Sequence, residues 1–149
     1  MPVQDLITGF MSTVPDSNEL ITAMTVPLVE GYRGARLRYT PGRADDYPTV
    51  GVAAAAALVD GVVTDVSVAV GGAGPRVYSV PEAQQLVGLP VAGLAWETVA
   101  DAAARRADPV DDRLGSAAYK RAMASVWVSR ALSVCFATPL VGPKDISGG

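Results

Sequence analysis

The chain has 149 residues and a mass of 15.3 kDa, room for one ordinary domain. Twelve basic against fifteen acidic residues give a net charge of −3 and a pI near 4.8, which leaves little to neutralise a phosphate backbone and argues against nucleic acid as a partner. With no histidine and a single cysteine, Cys135, histidine-based triads, the usual zinc sites, an internal disulfide and a self-contained iron–sulfur cluster are all excluded.

Half of the residues are apolar, 18% are charged and the mean hydropathy is +0.28, a balance that hints at a buried partner face. A compact chain of this mass exposes about 7000 Å². No basic-then-apolar leader pattern opens the chain, and no apolar run reaches the roughly 20 residues that span a bilayer. The expectation is a soluble cytoplasmic protein that avoids the membrane.

In chain order, Asp5 to Met11 reads as one helical turn or an extended arm, and Val14 to Glu19 as turn chemistry. Residues 20–30 read as a strand with Pro27 near its end. Residues 34–40 alternate with period two, placing Ala35, Leu37 and Tyr39 on one side and Arg36 and Arg38 on the other. A polar loop, residues 41–48, follows. The strongest local signal is a hairpin: Val50–Val59 and Val62–Val70 flank Asp60-Gly61, a two-residue turn pair. Its first arm holds Ala53 to Ala57, whose propensity is helical. The tight turn nevertheless demands a strand there, and small side chains allow a helix to lie close. In the second arm Val62, Thr64, Val66, Val68 and Val70 are expected to face inward.

Gly71 to Pro75 ends the hairpin as a turn, Arg76 to Val80 gives a short strand, and Pro81 to Val87 a short helix stopped by Gly88. A second helix is expected from Ala92 or Gly93 to Ala107, with Trp96, Val99, Ala100 and Ala103 inward. Asp108-Pro109 suggests a brief turn of helix. Ser116 caps a third helix from Ala117 to Cys135 or Phe136, with Tyr119, Met123, Val126, Trp127, Arg130 and Val134 along one face. The Asp111-Asp112-Arg113 run and Tyr119 read as a network fixing the start of that helix. Strands first and helices last predict an α+β fold, an antiparallel β-sheet with helices packed on it. The expected organisation is an arm over 1–19, one domain over 20–136 and an irregular tail over 137–149.

Candidate chemistry gathers in two places. The loop Arg43-Ala44-Asp45-Asp46-Tyr47 holds a cation, two carboxylates and a phenol. If both are partly buried, adjacent Asp45 and Asp46 raise one carboxyl pKa and supply an acid or base, and Arg43 clamps an oxyanion. Glu30, at the end of the expected strand 20–30, is a further acid/base candidate. Tyr32, Arg38, Tyr39, Tyr47 and Trp96 are candidate substrate-binding residues around a cavity between sheet and helix. Each also has a structural reading as a solvated loop, core or rim residue. Cys135, among Leu132, Val134 and Phe136, reads as a buried small hydrophobe. No metal site is expected.

Taken together, several motifs resemble a known family. Asp5-Leu6-Ile7-Thr8-Gly9, Asn18 to Ala23 and Val26-Pro27 resemble the end of the flavin domain in molybdenum hydroxylase medium subunits, the FAD-binding subunits of the aerobic carbon monoxide dehydrogenase and xanthine dehydrogenase family. Residues 43–48, Val70-Gly71-Gly72-Ala73-Gly74-Pro75-Arg76, Pro81-Glu82-Ala83, Ala107 to Asp112, Gly115 to Arg121 and Val128 to Leu132 resemble the C-terminal domain of those subunits. The resemblance implies the same sheet-and-helix fold and a place over the flavin domain, beside the isoalloxazine. The chain departs from the pattern in having Ala44 after Arg43 and Tyr47 as the loop aromatic. The family's pyrophosphate-binding glycine motifs lie upstream and are absent here, so FAD is expected only with a separate flavin-binding domain.

The preferred functional reading is a free-standing, cofactor-independent isomerase or cyclase acting on a small hydrophobic metabolite, with a homo-oligomer as the expected assembly, Asp45 or Asp46 moving a proton and Arg43 or Arg38 holding a substrate oxygen. The alternatives are a separately encoded part of a split FAD-containing medium subunit, with a flavin-binding subunit as partner, and a noncatalytic binding or assembly protein.

Overall fold

The computed structural model describes residues 1–27, 29–42 and 46–137. Arg43, Ala44, Asp45 and the tail from 138 onward therefore lie outside the described residues. A short helix α1 (Val3–Leu6) leads into a small hairpin of β1 (Ile7–Gly9) and β2 (Ser12–Thr13). The main sheet follows as β3 (Tyr32–Tyr39), β4 (Val50–Val59), β5 (Val62–Gly71) and β6 (Tyr78–Ser79), antiparallel throughout and ordered as in the sequence. A 3-10 helix (Pro81–Leu86), α2 (Glu97–Arg106) and α3 (Ala117–Ala137) complete the chain. The α+β fold read from the sequence is the observed one.

The hairpin forms because Asp60 (φ +49°) and Gly61 (φ +78°) both take the left-handed conformation that a two-residue turn requires. The alanine run of β4 is a strand because β3 and β5 hydrogen-bond it on both sides, a tertiary effect that outweighs helical propensity. Val50, Val52, Ala54 and Ala56 are buried beneath α3 together with Val66, Val68 and Val70 of β5. The inward valine series breaks near the turn. Ala57 pairs with Asp65 but Leu58 with Val63, so Thr64 is an extra residue and the side chains change face there. Val63 is buried in consequence, while Thr64 is exposed.

Helix α3 buries Lys120, Ala124, Val128, Ala131, Leu132, Cys135 and Phe136. The face that carries Tyr119, Met123, Val126, Trp127, Arg130 and Val134 runs along the flank, with only Met123 and Trp127 packed against the core. Small residues let the helix sit close on the Ala/Val sheet, and the larger rings reach around its edge, where Trp127 stacks on Tyr39 of β3 at 5.2 Å. Helix α2 starts at Glu97, later than expected, because Gly93 takes a positive φ of +78°. Asp108-Pro109 forms no helical turn; the Asp108 N–H donates to the Ala73 carbonyl at 3.0 Å. Residues 20–27 form no strand, contrary to expectation, and Leu20, Met24 and Val26 are exposed. Among the described residues no helix is long and apolar enough to cross a membrane.

Candidate functional site

The end of β3, the start of β4 and the end of β5 converge on one edge of the domain, against the start of α3. At this edge Asp46 accepts two hydrogen bonds from Arg113, at 2.9 and 3.5 Å, and its backbone carbonyl accepts one from Arg38 at 3.2 Å. The Arg113 contact holds the Asp46 carboxyl below its usual range, the opposite of the raised pKa that a neighbouring carboxylate would cause. Beside it, the Tyr39 and Tyr119 hydroxyls hydrogen-bond at 2.6 Å, and the Arg130 guanidinium lies 4.8 Å over the Trp127 ring. Hydrogen bonding to Tyr39 raises the Tyr119 pKa.

The start of α3 is held as the sequence suggests. Ser116 Oγ accepts from Tyr119 N–H at 3.2 Å, Asp111 from Ala117 N–H at 2.5 Å and Asp112 from Leu114 N–H at 2.7 Å. Lys120, only 3% exposed, donates to the Val110 carbonyl at 2.8 Å and pairs with Asp112 at 2.7 Å. That contact holds the Asp112 carboxyl low. Next to this pair a cavity of about 400 Å³ is lined by Phe10, Gly72, Gly74, Pro75, Asp108, Pro109, Val110, Asp112 and Lys120. The glycine-rich turn is committed to packing. Gly72 sits at φ +82°, and a Cβ there would come within 2.9 Å of the Pro48 carbonyl.

The remaining candidates scatter. Tyr32, at the far end of β3 from Tyr39, donates to Asp65 at 2.5 Å, while Trp96 stacks on Phe136 at 5.9 Å. Glu30 and Tyr47 are exposed. Arg38 lines a second, shallower cavity on the open sheet face with Arg36, Gly51 and Ala53. The structure thus unites Arg38 with Asp46 but does not bring Tyr32, Tyr39 and Trp96 to one cavity; Arg43 and Asp45 lie outside the described residues. Burial pushes the Cys135 thiol pKa up, as befits a packed thiol. Among the described residues no cluster of acidic or cysteine side chains is arranged to hold a metal. Sequence reasoning overlooked Lys120 as a cavity residue; a lysine in the Ala124–Val128–Ala131–Cys135 stripe was the available signal.

Residues 35–134 match the CO dehydrogenase flavoprotein C-terminal domain family. The chain belongs to that family. It is 26% identical over 128 residues to the glyceraldehyde dehydrogenase medium chain of Sulfolobus acidocaldarius, covering 85% of this chain and 45% of that one. Carbon monoxide dehydrogenase from Hydrogenophaga pseudoflava, solved without the Mo-pyranopterin moiety of its cofactor, superposes with a TM-score of 0.81 at 28% identity, over 89% of this chain and 47% of that one. Quinoline 2-oxidoreductase from Pseudomonas putida 86 shares the fold at 22% identity, with a TM-score of 0.80 over 89% of this chain and 46% of that one. The chain therefore spans about half the length of these relatives.

Membership of this family overturns the free-standing, cofactor-independent isomerase or cyclase reading; the split-flavoprotein alternative is the better supported one. The matched region corresponds to the C-terminal, non-flavin-binding part of the flavoprotein, and FAD requires a separate domain.

Proposed function

We propose that the chain is the C-terminal domain of the flavin-bearing medium part of a molybdenum-hydroxylase-type oxidoreductase, and that it works seated against a flavin-binding domain, whether joined to it or separate. The match over residues 35–134 carries this reading. Residues 20–27 support it: they have strand composition, pair with nothing described and expose Leu20, Met24 and Val26. A strand whose sheet lies in another domain looks like this, and on this reading the arm extends through residue 27. The flavin, held by the partner, supplies the electron transfer. This chain's part is to cover the partner and fix the loop before β4, whose trailing Asp46 is tied to Arg38 and Arg113.

The test is a binding titration of the chain against the flavin-binding domain of a medium chain from the same host. Binding is expected, and Met24→Asp, which puts a charge on an exposed apolar side chain, should weaken it at least about tenfold without lowering the chain's own melting temperature. Absence of binding by the unaltered chain, or equal binding by the variant, would contradict the proposal.

A further inference from the structure

The tip of the small hairpin carries backbone strain that the chain's own packing does not explain. Strands β1 and β2 pair Gly9 with Ser12, which leaves Phe10 and Met11 as the two turn residues. Met11 takes a φ of +50°, a left-handed conformation that L side chains disfavour and a glycine would adopt freely. Neither side chain is hidden in return: Phe10 is 77% exposed and Met11 92%. The hairpin is nonetheless held in shape. The Val14 N–H donates to the Leu6 carbonyl at 2.9 Å, and Ser12 Oγ donates to the Phe10 carbonyl at 3.2 Å. The two strands pack chiefly on each other and on α1, so the main sheet does not dictate the turn.

Strain kept beside bulky, exposed side chains marks a place shaped for a contact that the free chain lacks. No charged residue lies between Asp5 and Asp16, so that contact offers nothing for an ion pair. An aromatic ring and a thioether suit a dry apolar pocket instead. The same arm runs on to residues 20–27, whose exposed Leu20, Met24 and Val26 face the flavin-binding domain on the reading proposed for this chain, and one partner can cover both segments. We propose that Phe10 and Met11 form an anchor that inserts into an apolar pocket of the flavin-binding domain, and that the strained turn persists because it aims both side chains outward. The anchor rests on the proposed function and names the residues that carry most of the attachment.

The test is a titration of the full chain against the flavin-binding domain of a medium chain from the same host, with the variants Phe10→Ala and Met11→Gly. Both should weaken binding, Phe10→Ala by at least about tenfold and Met11→Gly several-fold. Met11→Gly relieves the strain, so hydrogen exchange at the Val14 amide should be as slow as in the parent or slower, which separates a lost anchor from a lost hairpin. The deficit of Phe10→Ala should be the same at about 50 and about 500 mM salt, as an uncharged contact requires. If the parent binds and Met24→Asp weakens it while both tip variants bind like the parent, the anchor is wrong and the proposed function stands. A deficit that vanishes at high salt, or a dimer of this chain alone that Phe10→Ala dissolves, would also overturn the anchor. If the parent does not bind, the proposed function fails and the anchor with it.

Discussion

Asp46 and Gly72 lie on the same edge of the sheet and hold it by different means. Asp46 uses charge: two contacts from Arg113 to its carboxylate and one from Arg38 to its carbonyl tie the loop to both β3 and the start of α3. Gly72 uses the space it leaves empty. Its φ of +82° disfavours any side chain, and a Cβ would press on the backbone of Pro48 and Thr49 at 2.9 to 3.3 Å. Gly72→Ala should therefore cost about 2 kcal/mol in chemical denaturation. Gly74→Ala meets its nearest atom at an ordinary 3.6 Å and should stay within about 0.5 kcal/mol of the parent. Equal losses in the two variants would mean that the turn is not held by close packing.

At the scale of elements, the alanines of β4 set how near α3 can lie. Ala56 is fully buried under that helix, and Ala56→Leu should overfill the interface and cost about 1–3 kcal/mol by thermal unfolding, more than the same change at exposed Ala53. The hairpin around β4 was legible in the sequence because Asp60-Gly61 permits one tight turn and so sets the pairing of both arms. The face of α3 was misread because periodicity favours a stripe of large residues. Packing on a small-residue sheet instead selected Ala124, Val128 and Ala131 and left Trp127 to wrap the edge. Residues 20–27 have a strand's composition without a strand's neighbours, and a sequence does not say whether the neighbours belong to the same domain. In the site, the charge-rich loop around Asp46 was visible locally. Its partner Arg113 lies 67 residues away, a distance only the fold closes.

Across the whole molecule, the paired carboxylates dictate the response to acid. Asp46, Asp65, Glu82 and Asp112 are held below their usual range, chiefly by hydrogen bonds from Arg113, Tyr32, Arg106 and Lys120 respectively. Because their folded pKa values lie below the unfolded ones, their contribution is complete above the unfolded range near pH 4 and is lost as pH falls through the folded values. Tyr78, pushed up to about 12 by burial, acts at the other end: its contribution is complete below about pH 10 and is lost as pH rises through the folded value. No histidine titrates between these limits, so the urea midpoint should be nearly flat from about pH 5 to 8 and fall below about pH 4. A step near neutrality would contradict this distribution of charge.

Phe10, Met11, Leu20, Met24 and Val26 are each more than two-thirds exposed. An arm so apolar is in keeping with a domain that normally sits on another. The most direct test is native mass spectrometry of the protein purified from its own host, with the visible absorption spectrum taken on the same sample. The account predicts a flavin band on a particle that contains this domain together with a flavin-binding one. A colourless particle made of this chain alone would contradict it.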